Sequence, residues 1–285
     1  MKESWKNQGL EQGDGDHRVS PVLVRRYDRE GLICEKSEWV IREKPLTLYV
    51  NGKELVTLLC AGHHLDELAA GFLHAEGFLR GLNDMEGLDV DVEQGRVDVR
   101  VSADLSLIGR MWEKRTVTSG CGKGSLFYYS LDALLSKPVE SDLSVSPAQV
   151  LDRVDELNRL SETYRRTHGV HNTVLATPEK VLLFRDDIGR HNAVDMIVGH
   201  CFLHAIPLSD KFLITTGRLT SELLIKLAKV GMPLVVSRNT ATTLAITLAE
   251  SLGITLVGYA RGGRFVVYAG HERIWQGCSP QGRLA

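Results

Sequence analysis

Residues 211–270 read KFLITTGRLTSELLIKLAKVGMPLVVSRNTATTLAITLAESLGITLVGYARGGRFVVYAG. The apolar segments FLITT, LVVSR and ITLVGYA are rich in β-branched side chains and predict strands. Between them lie two segments with apolar side chains at helical spacing, which end at Gly231 and Gly253. Strands that alternate with helices of about ten residues predict a partly parallel sheet with helices packed on its faces.

The first half of the chain has shorter, strand-rich patterns. Asn51-Gly52 and Gln94-Gly95 each separate two alternating apolar segments, which predicts two hairpins. Residues 64–79 have apolar side chains at helical spacing and predict a helix between these hairpins. The predicted fold class is α/β (α+β overall). Its predicted parts are a disordered tail over residues 1–19, a small strand-rich α+β domain over 20–125 and a larger α/β domain over 126–285.

Composition and charge exclude several classes of protein. The 34 basic and 36 acidic side chains give a net charge of −2, and a chain without a basic excess is a poor general binder of nucleic acid. No segment approaches the roughly 18 consecutive apolar residues of a membrane span. The polar residues 1–20 offer no apolar core for a secretory signal. We therefore expect a soluble, cytoplasmic protein that binds neither nucleic acid nor membrane.

One of the five cysteines differs from the others in its surroundings. Cys121 lies in the Gly-rich segment SGCGKGS, residues 119–125, whereas the other four lie in apolar or terminal contexts. Small neighbours would expose the thiol, and backbone N–H groups together with the ammonium of Lys123 would favour the nucleophilic thiolate. The alternative interpretation is a flexible linker with an incidental cysteine.

Several polar residues mark the ends of predicted strands and helices: His171, Arg190, His191, Arg218 and Arg238. Ligands of open α/β sheets bind outside the carboxyl ends of the strands, so these residues are candidates for a pocket. A helix start with Arg190 and His191 could also hold an anion, although a helix start with solvated polar groups is the alternative. We expect no zinc site, because the His-x-Glu and Pro-Cys-x-x-Cys signature of zinc deaminases is absent.

The turn Arg261-Gly262-Gly263-Arg264 is a further candidate binding site. Arginine binds phosphate oxygens with two parallel hydrogen bonds, and glycine lets a ligand approach the backbone closely. The alternative is a Gly-Gly hairpin turn with two solvated arginines.

Taken together, six segments resemble the FdhD/NarQ family of formate dehydrogenase accessory proteins. They are ELAAGFLHAEG (67–77), SGCGKGS (119–125), GVHNTVLA (169–176), DIGRHNAVDMIVG (187–199), TTGRLTSELLIKLAKVGMPLVVSR (215–238) and LGITLVGYARGGRFVVYAG (252–270). The resemblance implies a sulfur carrier, and hence a sulfurtransferase. It would accept persulfide sulfur from a cysteine desulfurase and pass it to the bis-molybdopterin guanine dinucleotide molybdenum cofactor that formate dehydrogenase requires. It also implies a cytidine-deaminase-like fold for the larger domain.

The resemblance assigns roles to particular residues. Cys121 matches the sulfur-carrying cysteine, and the cofactor-binding segment matches Tyr259, Ala260, Arg261, Gly262, Gly263 and Arg264. GDP is then the expected surrogate ligand, and a cysteine desulfurase, formate dehydrogenase and a second copy of the chain are the expected partners. Many members have a second cysteine where this chain has Gly124, so a single thiol must suffice here.

Two other functions stay open at this point. One is a chaperone that binds the molybdenum cofactor without transferring sulfur. The other is a cysteine- or metal-dependent hydrolase of nucleotide-like substrates.

Overall fold

The computed structural model of the chain describes residues 16–102 and 138–275. Within these ranges the chain forms twelve strands, six α-helices and two short 3-10 helices, at 82–84 and 271–273. The strands make a six-stranded, a four-stranded and a two-stranded sheet. The mixed α/β class predicted from the sequence is thus confirmed. Over the described ranges, no helix has the length and apolar character needed to cross a membrane.

The six-stranded sheet is the centre of the second half of the chain. Its strand order is β12-β11-β10-β9-β7-β8. Strands β9, β10 and β11 run parallel, while β7, β8 and β12 join antiparallel to their neighbours. The bounds are β7 His171–Ala176, β8 Val181–Asp187, β9 Phe212–Thr215, β10 Leu234–Ser237, β11 Thr255–Arg261 and β12 Arg264–Ala269. The strand–helix alternation therefore correctly predicted a partly parallel sheet.

Helices cover both faces of this sheet, which explains why β9 and β10 are buried at every position. One face packs against α4 Arg190–Leu203, α5 Ser221–Lys229 and α6 Thr243–Leu252. The other packs against α2 Pro147–Leu160, which begins with a capping box between Ser146 and Gln149. The sequence from Pro147 to about residue 164 would suit one continuous helix with Pro in its first turn. The structure instead ends α2 at Leu160 and starts α3, Glu162–Thr167, after Ser161.

The first half of the described chain forms a four-stranded sheet of order β4-β3-β6-β5 that packs against α1, Leu65–Glu76. Both predicted hairpins are present: β3 Lys44–Val50 with β4 Lys53–Cys60, and β5 Met85–Asp91 with β6 Arg96–Val101. Asn51 and Gly52 both have positive φ values, 49° and 76°. A two-residue turn of this kind matches the twist of the strands that it joins.

Strands β1, Val19–Asp28, and β2, Gly31–Ile41, form a separate antiparallel hairpin. The part of the predicted disordered tail that the structure describes, residues 16–19, is folded. There Arg18 pairs with Asp16 and with Asp186, at 2.9 and 2.7 Å. The predicted boundary between residues 125 and 126 lies outside the described residues.

Helices α1 and α4 join the two halves by a close crossing. A Cβ atom added at Gly71 would overlap the backbone carbonyl oxygen of Asp195, and one added at Gly199 would overlap that of Glu67. Only glycine lets two helix backbones approach this closely. The crossing fixes α4, and hence its N-terminus at the edge of the central sheet.

Candidate functional site at the carboxyl edge of the central sheet

The structure places most of the predicted site residues along one edge of the six-stranded sheet. This edge is formed by the carboxyl ends of β9, β10 and β11 and, because β7 runs the other way, by the first residue of β7. Cys121 and Lys123 lie outside the described residues. The remaining candidates fall into two groups, one at each side of this edge.

The first group is the β11–β12 turn. Gly262 and Gly263 have φ values of 62° and 72°, and the space around both is open, with nothing within 4 Å of an added Cβ atom. Arg261 and Arg264 are exposed and lie opposite each other in the ladder. The predicted Gly-Gly hairpin turn is thus present, with two guanidinium groups beside an accessible backbone.

Tyr259 shapes the approach to this turn. It has a φ of 51° and lies at a register shift of the β11–β12 ladder. The Arg261 guanidinium carbon lies 5.5 Å from the centre of the Tyr259 ring, close enough for a cation–π contact. These residues line an open groove of about 240 Å³ together with Arg264, Phe265 and Val266. Ala260 is buried and faces away from solvent. The groove therefore combines positive charge, an aromatic face and free backbone.

The second group lies where α4 and α5 begin, and we refer to it as the helix-end cluster. It consists of His171, Arg190, His191, Arg218, Thr220 and Glu222. Nδ1 of His171 lies 3.3 Å from Oγ1 of Thr216, directly after β9. Gly217 lies so close to Arg190 that an added Cβ atom would be 2.8 Å from Cβ of Arg190. The start of α4 is thus packed against the turn that leads into α5.

Charge and burial in the helix-end cluster keep its histidines neutral. Burial lowers the pKa of His171, and the guanidinium groups of Arg190 and Arg218 lower it further. Burial also lowers the pKa of His191 well below its usual value, and Lys226 and Arg190 add to that effect. Nε2 of His191 lies 3.5 Å from Oε2 of Glu222 but makes no hydrogen bond. At neutral pH the positive charge of the cluster therefore comes from its arginines.

Asp187 holds the start of α4 in place. Aspartate is a common N-cap residue, and Asp187 precedes this helix in the sequence, but the N-cap residue is Gly189. The Asp187 carboxylate instead accepts hydrogen bonds from the backbone N–H of Ala61 and Gly189, at 2.7 and 2.9 Å, and from the side-chain amide of Asn192 at 2.7 Å. Burial nevertheless raises its pKa to about 6. Asp187 thus ties the helix start to the end of β4.

The turns after β9 and β10 have the same local hydrogen bond. Oγ1 of Thr215 accepts a hydrogen bond from the N–H of Gly217, and Oγ of Ser237 accepts one from that of Asn239. Ser237 Oγ also donates to the carbonyl of Gly217 at 2.6 Å, which joins the two turns. Arg238 is half-buried in the second turn. It lies between the helix-end cluster and the β11–β12 turn.

Sequence reasoning missed the buried charges behind the helix-end cluster. Nζ of Lys226 lies 2.8 and 2.9 Å from the Asp195 carboxylate oxygens and 3.5 Å from Oε1 of Glu76. Burial alone would lower the pKa of Lys226, but these two carboxylates reverse the effect and raise it. A signal was present, since Asp195 and Lys226 are the sole charges in the apolar runs AVDMIVG and LLIKLA.

His200 and His204, at the C-terminal end of α4, lie apart from this edge. Nδ1 of His200 is 2.8 Å from Oε1 of Glu67, which also binds Arg185. In the described ranges no three His, Cys, Asp or Glu side chains come together as metal ligands.

These features define an α/β protein whose central sheet presents arginine side chains along its carboxyl edge. Comparison with known proteins then identifies the family. The model of the FdhD/NarQ family matches residues 41–275. The chain belongs to the FdhD/NarQ family.

Individual relatives agree with this assignment. The chain is 41% identical to a protein from Bacillus pumilus named "Sulfur carrier protein FdhD", over 88% of this chain and 96% of the relative. It is 40% identical to the protein of the same name from Bacillus subtilis, over 88% of this chain and 95% of that one. A crystal structure described as a formate dehydrogenase accessory protein from Desulfotalea psychrophila superposes with a TM-score of 0.75. It is 26% identical and covers 90% of this chain and 99% of its own.

Proposed function

We propose that this protein is a sulfur carrier that serves formate dehydrogenase. The observation that carries the proposal is the identity of about 40% to relatives named sulfur carriers, over 88% of the chain. In the proposed reaction, the Cys121 thiolate attacks the outer sulfur of a desulfurase persulfide. The donor S–S bond breaks, the donor thiolate leaves, and a persulfide forms on Cys121.

The second step would pass this sulfur to the molybdenum of the bis-molybdopterin guanine dinucleotide cofactor and regenerate the Cys121 thiolate. Reduction of the sulfur to a sulfido ligand takes two electrons, which the metal or a thiol reductant would supply. During this step the β11–β12 turn would hold the guanine-nucleotide phosphates. Arg261, Arg264 and the open backbone of Gly262 and Gly263 offer donors for phosphate oxygens.

The environment of the described cysteines supports Cys121 as the carrier. Burial raises the pKa of Cys60 to about 11 and that of Cys201 to about 12, so neither forms a thiolate at neutral pH. Cys34, on β2, is half-buried and is therefore the accessible alternative to Cys121 among the described residues.

The proposed fold of the larger domain is cytidine-deaminase-like. A β7–β8 hairpin, helix α4 and two strand–helix units that precede β11, with β9, β10 and β11 in parallel, support this likeness. We further propose that the protein acts as a homodimer, which light scattering on the purified protein would test.

Sulfur loading tests the proposal directly. The protein is incubated with a cysteine desulfurase and cysteine, and its intact mass is measured. We expect the gain of one sulfur atom in the wild type and in Cys34→Ala, and no gain in Cys121→Ala. Loading that persists in Cys121→Ala would overturn the carrier role of Cys121. A protein that binds the cofactor but never gains sulfur would instead be a chaperone.

Nucleotide binding tests the other end of the proposed site. Charge-assisted hydrogen bonds to phosphate contribute about 1.5–3 kcal/mol each. Arg261→Ala/Arg264→Ala should therefore bind GDP at least about a hundredfold more weakly by calorimetry, while Cys121 still accepts sulfur. Gly263→Val keeps both charges but strains a turn that needs positive φ, and it should also lose affinity. Unchanged GDP binding in the double variant would exclude this turn as the phosphate site.

A further inference from the structure

The helix-end cluster contains two helix starts that no side chain caps. The N-cap residues of α4 and α5 are Gly189 and Thr220, and neither makes a side-chain capping hydrogen bond. The N–H groups of a first helical turn have no partner within the helix, and the helix dipole adds partial positive charge there. By contrast, Ser146 and Thr242 cap the starts of α2 and α6 with their hydroxyls.

Polar side-chain atoms at the same place are also left without partners. His191 is only 8% exposed, and its Nε2 is buried without a hydrogen bond. Nε of Arg190 and Oγ1 of Thr220 are buried and unpartnered as well. Buried polar groups are nearly always paired, so three in one cluster point to a ligand that completes them.

Donor groups, more than net charge, indicate what kind of ligand this is. Arg190 and Arg218 bring two positive charges to the cluster, and both lower the pKa of His171. Two carboxylates lie in the same region: that of Glu222, 3.5 Å from His191, and that of Asp187, which accepts a hydrogen bond from the Gly189 N–H. The charge of Lys226 is already paired with Asp195 and Glu76. The cluster thus joins two guanidinium groups to the unpaired N–H groups of two helix starts, and this set of donors favours an anion.

We propose that the helix-end cluster binds a phosphate-like oxyanion. The first-turn N–H groups of α4 and α5, the Arg190 guanidinium and the Thr220 hydroxyl would donate to its oxygens, and His191 would border the site. All of these groups are donors, and donors at a helix start are the usual surroundings of bound phosphate. The anion is either free phosphate or the phosphoryl group of a larger ligand. This site is separate from the β11–β12 turn and does not depend on the proposed function.

The test is a calorimetric titration of the full-length protein with inorganic phosphate, in a chloride buffer of constant ionic strength. We expect saturable binding beyond that seen in a matched chloride titration. Arg190→Gln should weaken binding by at least about tenfold, because it removes a charge-assisted hydrogen bond. Thr220→Val, which keeps the shape of the side chain, should weaken it by about fivefold. Thermal unfolding of each variant shows whether it is folded.

Arg153→Gln is the matched control. Nε of Arg153 is also buried without a partner, but its guanidinium already binds the Pro178 carbonyl and Glu156 at 3.0 and 2.8 Å. Phosphate affinity should therefore not change in this variant. A second readout is the ring ¹⁵N spectrum of the histidines, in which phosphate should shift the His191 signals in the wild type and much less in Arg190→Gln.

Titration of the same variants with GDP identifies the source of the anion. Weaker GDP binding in Arg190→Gln as well as in Arg261→Ala/Arg264→Ala would assign the cluster to a phosphoryl group of a nucleotide ligand. Unchanged GDP binding in Arg190→Gln would assign it to free phosphate. The proposal is overturned if phosphate gives no saturable binding, or if only Arg261→Ala/Arg264→Ala loses it. Neither result bears on sulfur loading of Cys121, which tests the proposed function.

Discussion

The two regions at either end of α4 differ in how their buried polar atoms are paired. Where α4 crosses α1, each buried charge has a partner: Glu67 binds Arg185 and His200, and Asp195 binds Lys226. In the helix-end cluster, His191 at the N-terminus of α4 and Thr220 at that of α5 keep buried atoms without partners. A buried group without a partner costs more stability than a paired one, because nothing replaces the hydrogen bonds that it made with water. The crossing is therefore built for rigidity, and the helix-end cluster retains unused hydrogen-bonding capacity.

The largest effect is expected from a side chain placed in the crossing. Gly199→Ala should destabilise the protein by more than about 4 kcal/mol or prevent folding, because the new methyl group overlaps backbone that cannot move aside. Urea denaturation of the purified variant, or its recovery in soluble form, measures this. Gly81→Ala is the control, since Gly81 has open space around it and an extended φ of −159°. If the two variants were equally stable, helices α1 and α4 could move apart without any loss of stability.

Removing the partner of a buried charge should give the next largest loss of stability. Lys226→Met removes the partner of Asp195, which is 1% exposed, and should cost about 3–5 kcal/mol in urea denaturation. Asp195→Asn/Lys226→Met removes both charges and should recover part of that loss. If the double variant is no more stable than Lys226→Met, the loss comes from packing and not from an unpaired carboxylate.

Acid should weaken the crossing through Glu67. Burial favours the neutral form of this carboxyl, but Arg185 and His200 outweigh it and lower the pKa from 4.5 to about 2. The resulting stabilisation is fully present above pH 4.5 and is lost as the pH falls towards 2. Glu67→Gln should thus be less stable than the wild type by on the order of 2–3 kcal/mol at pH 7, and the gap should close on acidification.

The measurement is a series of urea denaturations between pH 7 and pH 2. His64, whose pKa burial lowers to about 4, adds acid sensitivity below pH 6.5 in both proteins, so the difference between them is the informative quantity. A gap that stays constant with pH would show that the Glu67 carboxylate is not responsible.

Local patterns in the sequence predicted most of the described fold. The turns at Asn51-Gly52 and Gly262-Gly263 require positive φ at both positions, which residue type alone signals. The break at Ser161 was not predicted, because its hydroxyl donates to the Leu157 carbonyl in a way that the apolar spacing does not reveal. Contacts between distant residues, such as the glycine crossing and the Asp195–Lys226 pair, depend on tertiary packing and leave weaker signals.

The candidate site was predicted in outline by strand order. Residues at strand and helix ends were expected near one another, and the structure places His171, Arg190, His191 and Arg218 together. Their partners could not be foreseen. Thr220 and Glu222 are ordinary residues of a helix start in the sequence, and only the tertiary fold brings Glu222 to within 3.5 Å of His191.

The smallest changes in stability are expected at two threonines that occupy the same position in different helices. Thr242 is the N-cap of α6, and its hydroxyl accepts a hydrogen bond from the N–H of Ala245 at 3.3 Å. Thr242→Val should therefore cost about 1 kcal/mol. Thr220 is the N-cap of α5 but makes no such bond. Thr220→Val should change stability by less than about 0.5 kcal/mol in phosphate-free buffer, because no bond is lost and an unpaired hydroxyl is removed.

The two variants should differ in the opposite way in how much stability they gain from added phosphate. A bound anion stabilises the folded state in proportion to its affinity, so phosphate should raise the unfolding midpoint of Thr242→Val as much as that of the wild type, and that of Thr220→Val less. Thermal unfolding with and without phosphate measures both the stability of each variant and its stabilisation by phosphate. If Thr220→Val is destabilised as much as Thr242→Val before phosphate is added, the Thr220 hydroxyl already has a partner in the folded protein. The contrast between the two ends of α4 would then disappear.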